Sequence, residues 1–374
     1  MTATGADRTL ALLESQVGRA LAEVETPVAV IDLDRLEANL ADLQSYADEH
    51  KIALWPHAKT HKSPEIGSRQ LELGAAGLTV AKSGEAQVFQ EAGVPRILLH
   101  YPPFGEAKWE RLAEIAASDV ELTVAVDSVT PAEGLARALH RRGLVAQVLV
   151  ELDVGMRRTG QTSVGGAVGV AAQLTQLPGL ELAGISCYPG HCRRGDPELP
   201  EKLRSVDERL RAAVSAFGHA GFRCDRVSGG STPTRRLTHT TCVNELRAGT
   251  YALLDRNEAD DERCALWIEA TVVSDSVPDQ VVVDGGSKTF TSDPYPEGGH
   301  GSVVGARHAR FVRMNEEHGY IDVSSLDERP RAGDHLQIVP NHACGCINLH
   351  DGALAVRDGV VDHVIRFAAR GLIR

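Results

Sequence analysis

From residue 26 to about residue 255 the chain repeats one pattern: a short apolar, β-rich run, a glycine or polar turn, then a stretch with apolar residues at helical spacing. The runs are Ile52–Trp55, Gly77–Ala81, Arg96–His100, Leu122–Val126, Ala146–Leu152, Leu182–Cys187, Arg223–Val227 and Leu246–Leu254. Between them Asp34–His50, Ser83–Ala92, Pro131–Arg142, Val164–Gln176 and Leu199–Ala220 carry helical spacing, several opening on an Asp, Ser or Thr cap and stopping at Gly. Strands alternating with helices predict parallel pairing through helical crossovers, and eight such strands close a (β/α)8 barrel. Residues 21–255 are therefore expected to form a TIM barrel of the α/β class. Past Asp255 the pattern changes. Ala265–Ser274, Gln280–Asp284, Ala309–Asn315, Tyr320–Val323, His335–Val339 and Val360–Phe367 are short runs split by Gly, Pro and Asp turns, with no long amphipathic helix among them. They predict a second, mainly β domain over 256–374, joined through a polar linker near Asp255–Arg263. Residues 1–20 read as a helix that precedes the barrel or returns to the β domain.

Composition narrows the function. The 374 residues carry 39 Lys and Arg against 51 Asp and Glu, a formal charge of −12, which argues against nucleic acid or anionic lipid as partner. An aromatic content of 4% argues against base-stacking platforms. No apolar run approaches the roughly 18 residues of a membrane span, and the N-terminus lacks the basic start and apolar stretch of a signal peptide, so a cytoplasmic protein is expected. Seven cysteines, an odd number in a long chain, suggest free thiols or metal ligands rather than a disulfide framework.

Active sites of such barrels lie at the C-terminal ends of the strands. The first strand ends in Pro56-His57-Ala58-Lys59-Thr60-His61-Lys62, which puts Lys59 where a side chain points into the barrel mouth; a Schiff-base lysine is the sharp reading, a charged loop the plain one, and Lys62 fits the plain one. The seventh strand ends in Ser228-Gly229-Gly230-Ser231-Thr232-Pro233-Thr234, and the eighth carries Arg247-Ala248-Gly249-Thr250-Tyr251. Glycines with Ser and Thr leave backbone N–H groups open for an anion, and the loops after strands seven and eight are the usual phosphate site of a barrel. An imine lysine at one end and a phosphate cradle at the other point to pyridoxal 5'-phosphate. In the β domain His342-Ala343-Cys344 reads as extended, so positions i and i+2 face one way and converge on a cation such as Zn²⁺, with open coordination sites; a packed imidazole and a buried thiol are the alternative. Cys346 shares that face and receives no role.

Four segments carry a resemblance: Pro-His-x-Lys-Thr-His-Lys at 56–62, Thr26-Pro27, Leu-Arg-Ala-Gly-Thr-Tyr at 246–251, and Pro340-Asn341-His342-Ala343-Cys344. With them the chain resembles the fold-type III pyridoxal-phosphate enzymes, with an alanine racemase-like barrel, and within them the D-threonine aldolase and D-serine dehydratase family. The resemblance implies that Lys59 bonds the cofactor, with His57 beside it. It implies that Arg158, in Asp153–Gly160, contacts the cofactor face, that Arg247 addresses the pyridine nitrogen, and that Gly249 and Thr250, next to Tyr251, hold phosphate through backbone amides. Tyr188 then packs on the cofactor or forms a wall, and His191 is the candidate proton carrier or a structural residue. His100, Asp127 and Asp153 end barrel strands as possible supporting groups.

It further implies a catalytic divalent metal (Zn, Mn, Mg or Co) on His342 and Cys344, a small D-amino acid substrate and a homodimer. The expected activity is cleavage of D-β-hydroxy amino acids, retro-aldol to glycine and an aldehyde, with elimination to a 2-oxo acid and ammonia as the alternative. The His-x-Cys pair resembles the dehydratase branch, whereas Asn348-Leu349-His350-Asp351 resembles aldolase-type members. Racemisation, with Tyr295 or Tyr320 as second acid/base, and a non-catalytic cofactor carrier complete the alternatives.

Overall fold

The computed structural model describes residues 4–293, 295 and 298–374. The chain divides into two compact units. One holds Asp42–Lys59, Ile66–Gly249 and Leu372–Arg374; the other holds residues up to Ala41, Thr60–Glu65 and Thr250–Gly371.

The first unit is the eight-stranded parallel sheet that the repeat predicts. Its strands are Ala53–Leu54, Leu78–Val80, Arg96–Leu99, Glu121–Val126, Ala146–Leu152, Leu180–Cys187, Arg226–Gly229 and Glu245–Leu246. Ala53–Leu54 pairs with Glu245–Leu246, and the same segment continues to a parallel bridge between His57 and Thr79, which joins first strand to second and closes the sheet on itself. Strands buried on both faces need apolar residues throughout, which is why Ala146–Leu152 (AQVLVEL) is almost wholly buried. Trp55, Leu98, Ala125 and Leu149 fill part of the interior. Below them Arg226 pairs with Glu245 at 2.6 Å and donates to Thr123 Oγ1 at 2.8 Å, so the buried charges compensate each other. The crossover helices start as expected: Ser163 caps Val164–Leu174 by accepting the Gly166 N–H.

The second unit holds a nine-stranded sheet. Its spine is Leu266–Ser274, which pairs antiparallel with Gln280–Val283, with His335–Pro340 and with Val28–Asp32. Val28–Asp32 also runs parallel to Gly352–Arg357, itself paired to Val360–Arg366. The domain boundaries drawn from the repeat therefore shift: residues 21–41, counted with the barrel, belong to the β unit, and Val28–Asp32 is a strand of its sheet. A parallel neighbour on one side makes this strand apolar on both faces, which is the signature of a barrel strand as well. The N-terminal helix Gly5–Glu14 returns to the β domain, where Leu13 joins Val28, Trp267 and Leu354 in the core. The stretch expected as a polar linker is anchored instead: Asp255 is 1% exposed. Among the described residues no helix is long and apolar enough to cross a membrane.

Candidate active site

Two backbone hydrogen bonds fix the end of the first barrel strand. The His57 N–H donates to Ala248 O and the Ala58 N–H to Thr79 O, which leaves the half-buried Lys59 at the C-terminal rim. Its Nζ lies 5.7 Å from the centre of the Tyr188 ring, and the Arg158 guanidinium lies 4.7 Å from the same ring. Arg158 reaches it because the segment after the fifth barrel strand folds back on itself: Asp153 Oδ1 accepts the Gly155 and Arg157 N–H groups, and Gln161 N–H returns to Glu151 O. Glu151, Leu152, Asp153, Met156, Arg158, Thr159 and Tyr188 line a shallow surface depression there.

Arg247 is buried and both of its terminal nitrogens are engaged. It donates to Ser228 Oγ at 2.6 Å, Cys187 O at 2.5 Å and His100 Nε2 at 3.0 Å. His57 and His100 are both held well below the usual imidazole pKa, by burial first and then by neighbouring cations: Lys59 and Arg247 on His57, Arg247, Arg158 and Lys59 on His100. The nearby Glu151 carboxyl is raised by burial and accepts Thr159 Oγ1 at 2.9 Å. Three positive side chains beside neutral imidazoles make a field suited to an anion. This set fits a phosphate-bearing aldehyde: an amine at Lys59, Arg158 over the Tyr188 ring, and the fixed positive charge of Arg247.

The glycine loop fits in part. Gly230 has φ +76, and a Cβ there would stand 2.5 Å from Leu246 Cδ1, so the turn requires glycine. Two expected cradle groups are used internally, however: Ser228 Oγ serves Arg247, and the Ser231 N–H donates to Thr234 Oγ1 at 3.0 Å. The Cys187 thiol, beside Arg247, is pushed up to about 12 by burial and stays neutral. Thr250 and Tyr251 share a short 3-10 turn, with Tyr251 buried, and the strand expected over 246–254 stops at Leu246. His191 packs against Gly155, where a Cβ would come within 2.9 Å of the ring. Its Nδ1 is enclosed with no hydrogen-bond partner among the described residues, and burial, then Lys202, lowers its pKa.

His342 and Cys344 do come together, by a different geometry than expected. Ala343–Ile347 is a short helix, not an extended segment, and His342 is its N-cap. Asp255 sets this helix by accepting the Ala343 N–H at 2.8 Å, and burial raises its carboxyl to about 6. Helical spacing turns Cys346 away: it is fully buried and bonds to Thr289 O, so it does not share the face of Cys344. The His342 imidazole is raised to about 10, first by its hydrogen bond to Cys344, then by the charges of Cys344 and Asp255, with Asp293 adding a hydrogen bond at 2.7 Å. Surroundings that favour a proton this strongly also favour a cation. With Asp293 on Nδ1, the Nε2 atom is the one oriented for a metal. Among the described residues no group of three or more His, Cys, Asp and Glu side chains is arranged to hold a metal, so His342 and Cys344 offer one imidazole and one thiol, donor types that suit a borderline cation.

Sequence reasoning missed Asp255 and Asp293. Asp255 was hidden in an acidic stretch, and Asp293 lies 49 residues from its partner. Elsewhere Lys62 is buried rather than solvated, its carbonyl accepting the Ala369 N–H. Lys288 is paired with Glu317 at 2.6 Å.

Comparison with known proteins follows the same division. Residues 31–256 match the family described as alanine racemase, N-terminal domain, and residues 265–356 match a serine dehydratase domain. A D-threonine aldolase of an Arthrobacter species is 36% identical over 370 residues, 96% of each chain. The crystal structure of D-threonine aldolase from Filomicrobium marinum superposes with a TM-score of 0.90 at 31% identity, covering 96% of this chain and 99% of that one. A D-threo-3-hydroxyaspartate dehydratase variant in the metal-free form superposes with a TM-score of 0.80 at 29% identity, covering 93% and 98%.

Proposed function

The chain belongs to the fold-type III pyridoxal-phosphate family of D-threonine aldolases and D-serine dehydratases, and from that premise we propose that it is a metal-assisted lyase of D-β-hydroxy amino acids, cleaving D-threonine-type substrates to glycine and an aldehyde. Bound at Lys59, the cofactor supplies an electron sink for charge at the substrate Cα. A divalent cation on His342 and Cys344 supplies Lewis acidity toward the substrate's β-oxygen. The chain's own residues do the rest. Lys59 is the amine that would hold the cofactor and, when free, would exchange a proton with the substrate Cα. Arg247, locked by Ser228, Cys187 and His100, addresses the ring nitrogen. Gly229, Gly230, Gly249 and Thr250 receive the phosphate, with Ser231 and Tyr251 supporting them, and Tyr188, Arg158 and His57 wall the ring. His191 carries protons to and from the reacting end.

The observation that carries the lyase reading is that His342 and Cys344 stand together at one short helix N-terminus, with Asp293 bonded to the imidazole at 2.7 Å. It supports removal of the hydroxyl proton, with the Cα–Cβ bond breaking to give glycine and an aldehyde. A thiol in the second ligand position also favours a second outcome: Lys59 takes the Cα proton, hydroxide departs, and hydrolysis of the product gives a 2-oxo acid and ammonia. Supplying the protein with pyridoxal phosphate, a divalent metal and D-threonine or D-serine separates them. Acetaldehyde plus glycine means aldolase; 2-oxobutanoate or pyruvate means dehydratase; neither product on either substrate overturns the reading. The proposal includes a cytoplasmic homodimer, and a fully active monomer in sizing chromatography contradicts the dimer.

A further inference from the structure

Cys344 receives a hydroxyl from a segment 284 residues away. Thr60 Oγ1 lies 3.2 Å from Cys344 Sγ, and Thr250 Oγ1 approaches the same sulfur at 3.8 Å. Thr60 is 0% exposed, so water has no access to it. A hydroxyl within hydrogen-bond reach of a sulfur can donate to it or accept from it, and so holds that side chain in one orientation. A valine of the same shape does neither. Thr60 also follows Lys59 in the chain, so the sulfur is tied to the residue beside the proposed cofactor lysine.

We infer that Thr60 is a positioning residue for the metal site: its hydroxyl fixes the direction in which the Cys344 sulfur is presented, and so sets part of the metal affinity. The inference rests on the reading of His342 and Cys344 as the metal-holding pair. Hydrogen-bond partners of metal ligands contribute about 10- to 100-fold to affinity. Serine at position 60 keeps the donor and acceptor; valine and alanine remove them.

The test strips the full-length protein of divalent metal with a chelator and titrates it with Co²⁺, following the near-ultraviolet charge-transfer band that a cobalt–thiolate bond gives. Thermal melts establish that each variant is folded, and Thr60→Ala replaces Thr60→Val if valine is not accommodated. The expected result is a dissociation constant raised about tenfold or more in Thr60→Val and restored to within about twofold in Thr60→Ser. Wild-type affinity in a folded Thr60→Val protein, with the band present and lost in Cys344→Ser, overturns this inference while leaving the metal pair standing. Absence of the band in the wild type, or its survival in Cys344→Ser, overturns the metal pair and the inference with it.

Discussion

Arg247 Nη2 donates to His100 Nε2 at 3.0 Å, a bond that requires His100 to be neutral. His57, facing Lys59, His100 and Arg247, is held neutral as well. Both folded pKa values lie well below the ordinary imidazole value of about 6.5, so as pH falls through that value the unfolded chain takes up protons before the folded one does. Stability is then lost by about 1.4 kcal/mol per pH unit for each histidine. Asp255 has the opposite sign: its raised carboxyl contributes below its ordinary range, and that contribution is lost as pH rises through about 6. His191, His300 and His350 are lowered by burial as well, and Glu151 and Glu269 are raised by it, so five histidines against three carboxyls predict a falling melting temperature between pH 6.5 and 5, with a shallower fall in His100→Asn. A flat or rising profile contradicts the assignment.

Replacing Arg247 by lysine keeps a positive charge but loses the planar fork that reaches Ser228, Cys187 and His100 together. Titration with pyridoxal phosphate, read from its visible absorption, is expected to show affinity lowered at least tenfold, since one buried acceptor left without its donor already costs about 1–3 kcal/mol. Unchanged affinity would separate Arg247 from the cofactor.

Gly230→Ala places a Cβ against Leu246 in a left-handed turn. Strain of about 1–2 kcal/mol and a displaced loop are expected. The check is a lower melting temperature together with weaker cofactor binding; a lower melting temperature alone would mean that the loop is structural.

Asp293→Ala removes the carboxylate that orients His342. The divalent metal concentration giving half-maximal activity should rise about 10- to 100-fold, with the maximal rate largely recovered at saturation. Chelation should abolish wild-type turnover and added metal should restore it. Turnover that survives exhaustive chelation would remove the metal from the proposal.

The barrel was legible in the sequence because strands buried on both faces, separated by amphipathic helices, leave an unmistakable alternation. Val28–Asp32 escaped for the same reason: its burial pattern is that of a barrel strand, and only its partners, Leu266–Ser274 and Gly352–Arg357, place it elsewhere. Lys59 could be named from its place after the first strand and Arg158 only through the family resemblance, and both face Tyr188. The pairing of His342 with Cys344 was anticipated for the wrong physical cause, since a helix N-terminus brings them together where an extended strand was expected. Contacts such as Thr60 with Cys344 or His342 with Asp293 join segments that share no local pattern, so periodicity carries no trace of them.

Treatment with pyridoxal phosphate, reduction with borohydride and peptide mapping ask directly which amine carries the cofactor. The account predicts a single modified lysine, Lys59, and no trapping or turnover in Lys59→Ala. Modification at another lysine, or turnover that persists without this side chain, would contradict it.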